Sequence, residues 1–296
     1  MSFKLVNQQG KRLMKTLICD LHLAISLGNV KEVENVVEKL IELEADCDIN
    51  LITLIGNASP LSYAVYKSNI DIVRLLLRYR CDPNRLSKDH LGRIEPPLCS
   101  AVRIGNIDVI AALLNLSQGL NINQTDFFNQ TPLWLAVKNR RLDIVELIVN
   151  NETFSLDCES FRLQKSSPVY LAAKYLNNRA KILDFLIDSG ITWSCFEDGY
   201  KGSSVLHWMA AVHKNVDFVN KMILAGVSQT TLLQLKTNVA IQCANKMFPL
   251  SLQDSVRIYI RKQIINKTKR PLTYKNIAHH LPQIPNILIH ILVNLK

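Results

Sequence analysis

The sequence predicts an all-α fold in which about six helix–turn–helix repeats stack into a solenoid, followed by a small helical module. Two recurring strings of residues and one feature of the composition support this prediction. The strings alternate along the chain with a period of 35 to 40 residues, which is typical of repeat architectures. Gly and Pro number only ten each, too few for a turn-dense all-β fold.

The first string starts a helix in each repeat. A Ser or Thr hydroxyl caps the free N–H groups of the first turn, and Pro suits the first helical position. A small Ala within the string lets neighbouring repeats approach closely. The string reads SPLSYAV from Ser59, PPLCSAV from Pro96, TPLWLAV from Thr131, SPVYLAA from Ser167 and SVLHWMA from Ser204, with a Pro-less form, DLHLAIS, from Asp20. The equivalent apolar residues are Leu21, Leu61, Leu98, Leu133, Val169 and Leu206, at spacings of 40, 37, 35, 36 and 37 residues.

The second string forms the other helix of each repeat, about eleven residues after the first. Its apolar residues follow the 3.6-residue period of a helix with one buried face. Neither helix can bury its face alone, so stacking of the repeats makes the core. The string reads DIVRLLL from Asp71, DVIAALL from Asp108, DIVELIV from Asp143, KILDFLI from Lys181 and DFVNKMI from Asp217.

The two strings together resemble the ankyrin repeat, whose pattern runs D-x-x-G-x-T-P-L-H-x-A-A, G-x-x-x-I-V-x-x-L-L and G-A-D-x-N. Most of the units lack the hairpin Gly of that pattern. The resemblance covers residues 18–226 and implies about six ankyrin repeats. In this division residues 1–17 are a polar and basic lead, residues 227–250 are a helical connecting segment, and residues 251–296 are a separate module.

Composition and charge restrict the function classes. Seven cysteines are spread singly, which argues against a disulfide framework and against a zinc site. The N-terminal residues lack the apolar core of a secretory signal, and no run approaches the ~20 apolar residues of a membrane helix. We therefore expect a cytoplasmic protein, with the nucleus as a second compartment, and no membrane partner. The net charge of +10 permits acidic partners.

A helix of a different pattern is predicted from Ser251, which forms a capping box with Asp254. One side of this helix carries an apolar stripe of Leu252, Val256, Ile260 and Ile264, and the opposite side carries Arg257, Arg261 and Lys262. A second short helix is predicted from about Asn286, in a segment where residues 284–295 include eight Ile, Leu or Val. This module either caps the last repeat or binds a partner.

The order of residues in 251–296 resembles a SOCS box, the module that couples substrate receptors to elongin and cullin subunits of a ubiquitin ligase. The elongin-binding pattern is S/T-L-x-x-x-C-x-x-x-aliphatic, commonly followed by I-R-K. Ser251 and Leu252 match its start, and Val256 stands where Cys is usual. The resemblance implies that Leu252, Val256 and Ile260 bind an elongin B/C heterodimer, more weakly because of Val256.

The cullin-binding part resembles L-P-Φ-P-x-x-Φ-x-x-Y-L, where Φ is apolar. The matching residues are Ile284, Pro285, Leu288 and Leu292, whereas Ile291 replaces the aromatic residue. The resemblance implies a cullin scaffold of the cullin-5 type with its RING subunit. The chain is thus similar to the ankyrin-repeat and SOCS-box family of substrate-recognition subunits. The alternative is a non-catalytic ankyrin scaffold whose degenerate box only caps the solenoid.

Catalytic motifs are absent from the sequence. The seven His residues show no metal-ligand spacing with Cys or carboxylates. No Walker or Rossmann Gly pattern, nucleophile elbow or zinc-protease motif occurs. We therefore expect no enzyme activity, no cofactor and no metal site. The basic stretch from Arg257 to Lys275 has too few interleaved aromatic residues for nucleic acid, so we expect a solvated helix face and loop there.

Client binding is predicted on the first helices and on one hairpin tip. The basic residues five or six positions past the first-string apolar residue are Lys67, Arg103, Lys138 and Lys174. They form an exposed column that fits an acidic client segment, although helix C-termini favour such cations anyway, by ~0.3–1 kcal/mol. Phe127 and Phe128 occupy a hairpin tip. They either form a binding hot spot there, or one of them folds back onto the neighbouring hairpin.

Overall fold

The computed structural model describes residues 2–43, 53–54, 56, 58–88, 92–156, 167–191, 205–272 and 277. The described chain is mostly helical. It divides into two compact units, Met1–Pro132 and Leu133–Lys296.

The first unit contains three helix pairs and one short hairpin among its described residues. The helices are α1 (Ser2–Leu27), α2 (Val30–Leu43), α3 (Pro60–Tyr66), α4 (Ile70–Arg78), α5 (Pro97–Ile104) and α6 (Ile107–Leu116). The residues from Ser2 to 17, predicted as a polar lead, belong to α1. The all-α prediction is wrong at one point, because β1 (Ser87–Lys88) pairs antiparallel with β2 (Ile94–Glu95). This pairing satisfies backbone N–H and C=O groups that a helix would otherwise bond internally.

The second unit continues the alternation of short helices. They are α7 (Pro132–Lys138), α8 (Leu142–Val149), α9 (Pro168–Lys174), α10 (Ala180–Asp188), α11 (Val205–His207), α12 (Val216–Leu224), α13 (Gln229–Gln234), α14 (Asn238–Met247) and α15 (Leu252–Thr268). A 3-10 turn, Leu176–Asn178, precedes α10, and a π-helical turn, Trp208–Val212, extends α11. Because α7 begins at the last residue of the first unit, all but its first residue belongs to the second.

Side-chain caps fix where the helices begin. The Oγ atoms of Ser59 and Ser167 accept hydrogen bonds from the N–H groups three residues on, and Pro follows each serine at the first helical position. This confirms the predicted role of the Ser-Pro pairs. Four of the second helices use Asn in the same way, and the capping residues are Asn29, Asn69, Asn106 and Asn215. At the starts of α8 and α10, Arg141 and Arg179 make no side-chain cap.

The core consists of the apolar residues of the two strings. The six equivalent apolar residues of the first string are all buried, as are the small Ala residues three positions further on in five of the units. In the second string, Ile72, Val109 and Ile144 are fully buried. The predicted core is therefore confirmed, and each helix pair buries faces that it could not bury alone.

The C-terminal half of α15 packs against the end of α10. Ile264, Ile265 and Leu272 are buried, and the N–H of Leu272 donates to the carbonyl of Ser189 at 2.8 Å. Gly190 ends α10 with a φ of +77°, and a Cβ there would lie 2.7 Å from Cδ1 of Ile265. The positive φ favours glycine, and a Cβ at this position would have to displace the end of the Ile265 side chain.

Arg261 corrects the prediction of a solvated basic face on α15. Its side chain is buried, and Nη2 donates to the carbonyl of Asp188 at 2.9 Å. The last carbonyls of a helix have no partner within the helix, and a cation there is also favoured by the helix dipole. Burial lowers the pKa of the Arg261 guanidinium to about 10. Arg261 therefore joins α15 to α10 instead of facing solvent.

Within the part of the chain that the structure describes, no helix is both long enough and apolar enough to span a membrane.

Candidate functional site

The first half of α15 presents apolar side chains to solvent. Ser251 caps the helix, accepting from the N–H of Asp254 at 3.1 Å, and its hydroxyl donates to the Asp254 carboxylate at 2.6 Å. The predicted capping box is thus confirmed. The exposed fraction falls along the stripe, from 81% at Leu252 to 46% at Val256, 36% at Ile260 and 8% at Ile264.

Helix geometry explains this gradient. A residue four positions on is rotated by roughly 40° about the helix axis, because one turn takes 3.6 residues. The stripe therefore winds around α15, from the open side at Leu252 to the packed side at Ile264. Tyr259, seven residues after Leu252, returns to within roughly 20° of it and is also exposed. Sequence reasoning missed Tyr259, although its spacing from Leu252 was the signal for it.

The predicted cullin-binding residues Ile284, Pro285, Leu288 and Leu292 lie outside the described residues, together with the second C-terminal helix. Leu252, Val256 and Ile260, predicted to bind elongin, lie among the described residues.

The hairpin tip at 126–130 presents two aromatic side chains. Phe127 is 72% exposed and Phe128 is 60% exposed, with their rings edge to face at 5.7 Å between centroids. Neither ring folds back into the core. The tip is fixed by Asp126, whose Oδ1 accepts from the N–H groups of Phe128 and Gln130 at 2.8 and 2.9 Å. The two exposed rings are therefore held on an ordered turn.

Arg103 binds Asp126, the residue that fixes this turn. The prediction that the Arg103 side chain is exposed is wrong. Its guanidinium donates to Glu95 at 2.9 and 3.0 Å and to Asp126 at 2.8 Å. Both carboxylates are 2% exposed, and the arginine side chain is 20% exposed. Burial works against the charged guanidinium, but Glu95 and Asp126 outweigh it and raise the pKa of Arg103. Arg103 thus pairs with two buried carboxylates of its own fold.

Cys99 lies beside this cluster as a buried thiol. Its Sγ donates to the carbonyl oxygens of Gln124 and Gln130 at 3.5 and 3.8 Å. Burial first, and then Asp126 and Glu95, raise the pKa of Cys99 well above its ordinary value. A thiol in this environment stays protonated and unreactive.

Lys67 lies in an aromatic cluster on the first helices of the first unit. Its Nζ is 5.5 Å from the ring centre of Tyr63 and 5.8 Å from that of Tyr66. The imidazole of His22 stacks on Tyr63 at 4.4 Å. Burial first, and then the charge of Lys67, lower the pKa of His22. His22 therefore stays neutral at pH 7.

Lys138 and Lys174 also lie over aromatic rings, in the second unit. Nζ of Lys138 is 5.2 Å from the ring centre of Trp134, four residues earlier on α7. Nζ of Lys174 is 5.4 Å from Tyr175 and 5.9 Å from Trp208. The predicted cations thus differ in their surroundings, because Arg103 meets carboxylates whereas the lysines meet rings. Sequence reasoning missed the rings, although the four-residue spacing from Trp134 to Lys138 was a signal for one of them.

A buried arginine joins two of these repeats. Arg179, directly before α10, donates from Nε to the carbonyl of Val137 and from Nη2 to that of Lys138, both at 2.9 Å. These carbonyls lie at the end of α7, where carbonyls lack partners within the helix. Arg179 thereby joins the end of α7 to the start of α10.

In the described ranges, no group of three His, Cys, Asp or Glu residues is placed to hold a metal ion.

Comparison with known proteins identifies the repeats. Residues 57–88 match the family model of the ankyrin repeat, and residues 86–160 match the model of ankyrin repeats in three copies. The ankyrin repeat domain of Bcl-3, a solved structure, is similar with a TM-score of 0.60 and 20% identity, over 76% of this chain and 97% of that one. The chain therefore has an ankyrin-repeat solenoid fold.

Two curated relatives share the repeats. Alpha-latrocrustotoxin-Lt1a of Latrodectus tredecimguttatus is 28% identical over 40% of this chain and 7% of its own length. Rabankyrin-5 of Mus musculus is 27% identical over 71% of this chain and 17% of its own length. The chain thus spans less than a fifth of the length of either relative. Ankyrin repeats imply a scaffold for protein–protein interactions, and the exposed surfaces described above are where such interactions would occur.

Proposed function

We propose that this chain is a non-catalytic substrate-recognition subunit of an elongin–cullin–RING ubiquitin ligase. In this proposal the ankyrin repeats bind a client protein and α15 binds the elongin B/C heterodimer. A cullin of the cullin-5 type, with its RING subunit, binds through the residues after α15. Ubiquitin transfer belongs to the other subunits, and the complex works in the cytoplasm or the nucleus.

The observation that carries the proposal is the division of α15 into two halves. Its second half is docked through Arg261, Ile264 and Ile265, so the helix has a fixed position. Its first half nevertheless leaves Leu252 and Val256 in water. A fixed helix that keeps large apolar side chains exposed is typical of a site that a partner covers.

The same docking supports a second candidate function. A helix that packs on the last repeats protects their apolar surface, as terminal caps of repeat proteins do. In that case the chain is an ankyrin scaffold that has no elongin partner. The exposed first half of α15 is the feature that this candidate leaves unexplained.

The test is co-purification of elongins B and C with the full chain carrying Leu252→Asp. We expect the loss of elongin, because the aspartate would be buried without a partner in the pocket that receives the leucine. Gln253→Asp is the matched control, since Gln253 is exposed, adjacent and outside the stripe. Val256→Cys, which restores the usual residue of the pattern, should bind elongin as well or better. Equal elongin recovery with Leu252→Asp and Gln253→Asp would favour the scaffold function.

A further inference from the structure

Charge is segregated between the two helices of each repeat in the second unit. The first helices and the turns after them, residues 132–141, 168–179 and 205–215, contain six Lys or Arg and no Asp or Glu. The second helices carry the acids, among them Asp143, Asp184 and Asp188. The first helices and their turns are therefore the more basic side of the repeats.

Three acids of the second helices, Asp143, Asp184 and Asp188, have partners within the chain. Arg141 donates to Asp143 at 2.7 Å, and Lys221 donates to Asp188 at 2.8 Å and also contacts Asp184. These pairs lower the charge on that side. No Asp or Glu pairs with Lys138 or Lys174 among the contacts of the described residues.

Aromatic side chains form the floor of the basic side. Trp134 lies under Lys138, and Trp208 and Tyr175 lie under Lys174. Tyr170 meets Trp208 edge to face at 6.4 Å. A cation held over a ring gains ~0.5–1 kcal/mol at exposed sites, so these ammonium groups are partly ordered before any partner arrives.

The backbone at Trp208 is also unusual. Residues Trp208–Val212 form a π-helical turn, in which the N–H of His213 donates to the carbonyl of Trp208 at 2.8 Å. Single π-helical turns occur frequently at functional sites. This turn lies on the same side of the repeats as Lys174, and Val212 in it is half exposed.

We propose that the basic side of the second unit, defined by Trp134, Lys138, Tyr170, Lys174, Tyr175 and Trp208, binds an extended acidic peptide segment that also carries large apolar residues. The carboxylates pair with Lys138 and Lys174, and the apolar side chains pack against the edges of the rings, whose faces the cations cover. This proposal rests on the client-binding role proposed for the repeats and specifies the chemistry of the client.

The geometry favours a peptide over single-stranded nucleic acid. Stacking of bases needs open ring faces. Here ammonium groups lie over Trp134 and Trp208, and Tyr175 has both Lys174 and the guanidinium of Arg179 within 5.4 Å of its ring centre. Neighbouring helices pack 8–10 Å apart, so a segment across three first helices spans ~20 Å, or about six extended residues.

The test measures peptide binding to the full chain by fluorescence anisotropy. The probe is a labelled peptide of about ten residues in which Glu and Leu alternate. Two other labelled ligands are compared with it, namely a peptide in which Ser replaces each Leu and oligo(dT). We expect the Glu–Leu peptide to bind most tightly. Lys138→Gln combined with Lys174→Gln should weaken this binding by about tenfold or more, because both charge pairs are lost.

The matched control is Lys246→Gln combined with Lys267→Gln. All four lysines lie in the last turn of a helix of the same unit, so the two double variants lose the same charge and the same helix-dipole interaction. An equal loss of binding in the two double variants would overturn the proposal, as would preference for oligo(dT) or for the Glu–Ser peptide. Elongin takes no part in this assay, so its result is independent of the ligase proposal.

Discussion

Arg103 occupies a repeat position that the sequence predicts to be exposed, but its side chain pairs with buried carboxylates. By position it belongs with Lys67, Lys138 and Lys174, but it lies between two buried carboxylates. When a buried carboxylate loses its cation, it remains removed from water but no longer gains the electrostatic attraction of the pair. Arg103 also orders the turn that presents Phe127 and Phe128, through its bond to Asp126.

We predict that Arg103→Leu lowers the free energy of unfolding by about 3–5 kcal/mol, because it leaves Glu95 and Asp126 buried and unpaired. Urea unfolding of the full chain, followed by circular dichroism, measures this change. Lys138→Leu removes a cation from the equivalent position of an exposed site and should cost less than about 1 kcal/mol. Similar losses in the two variants would show that the Arg103 cluster is not a structural ion pair.

The position of α15 depends on the loop that follows α10. Gly190 gives that loop its left-handed turn and leaves room for Ile265 and Leu272. Arg261 adds a hydrogen bond to the last turn of α10. Packing around Gly190 and the hydrogen bond of Arg261 therefore fix the second half of α15, whereas its first half carries the exposed stripe.

Gly190→Ala tests this docking. The variant combines the strain of a positive φ, about 1–2 kcal/mol, with overpacking of about 1–3 kcal/mol against Ile265. We expect the amide hydrogens of α15 to exchange faster with solvent. Gly119→Ala is the control, since its φ is +69° but no atom lies within 4 Å of the added Cβ. If Gly119→Ala lowered the free energy of unfolding as much as Gly190→Ala, the strain of a positive φ would explain the whole loss of stability. The contact of the new Cβ with Ile265 would then contribute nothing.

Two of the surfaces described above differ in chemistry. The first half of α15 is apolar, whereas the first helices of the second unit are basic over aromatic rings. Their chemistries differ, so they suit different partners. A subunit that joins a client to other proteins requires two such independent surfaces.

We predict that the two surfaces function independently. Lys138→Glu combined with Lys174→Glu should abolish capture of acidic peptide and leave elongin co-purification unchanged. Leu252→Asp should do the reverse, and the variant with all three changes should show the sum of the effects. If the lysine double variant or Leu252→Asp lost both peptide binding and elongin co-purification, with an unchanged unfolding curve, the two surfaces would not be independent.

The repeats, their helix starts and their core can be predicted from the amino-acid sequence. These features depend on local spacing, because Ser-Pro caps and apolar residues at helical period specify each pair before it stacks. The capping box at Ser251 was predictable for the same reason. The strands β1 and β2 were not, because a two-residue ladder has no periodicity of its own.

The environment of each side chain, in contrast, depends on how the whole chain folds. Arg103 and Lys138 occupy equivalent positions in the repeat, yet one is paired with buried acids and the other lies over an indole ring. Arg261 lies opposite the apolar stripe in the sequence pattern, yet it is buried against α10. The physical reason is that pairing and burial depend on residues distant in the chain, such as Asp126 for Arg103 and Asp188 for Arg261, which only the folded backbone brings within hydrogen-bonding distance.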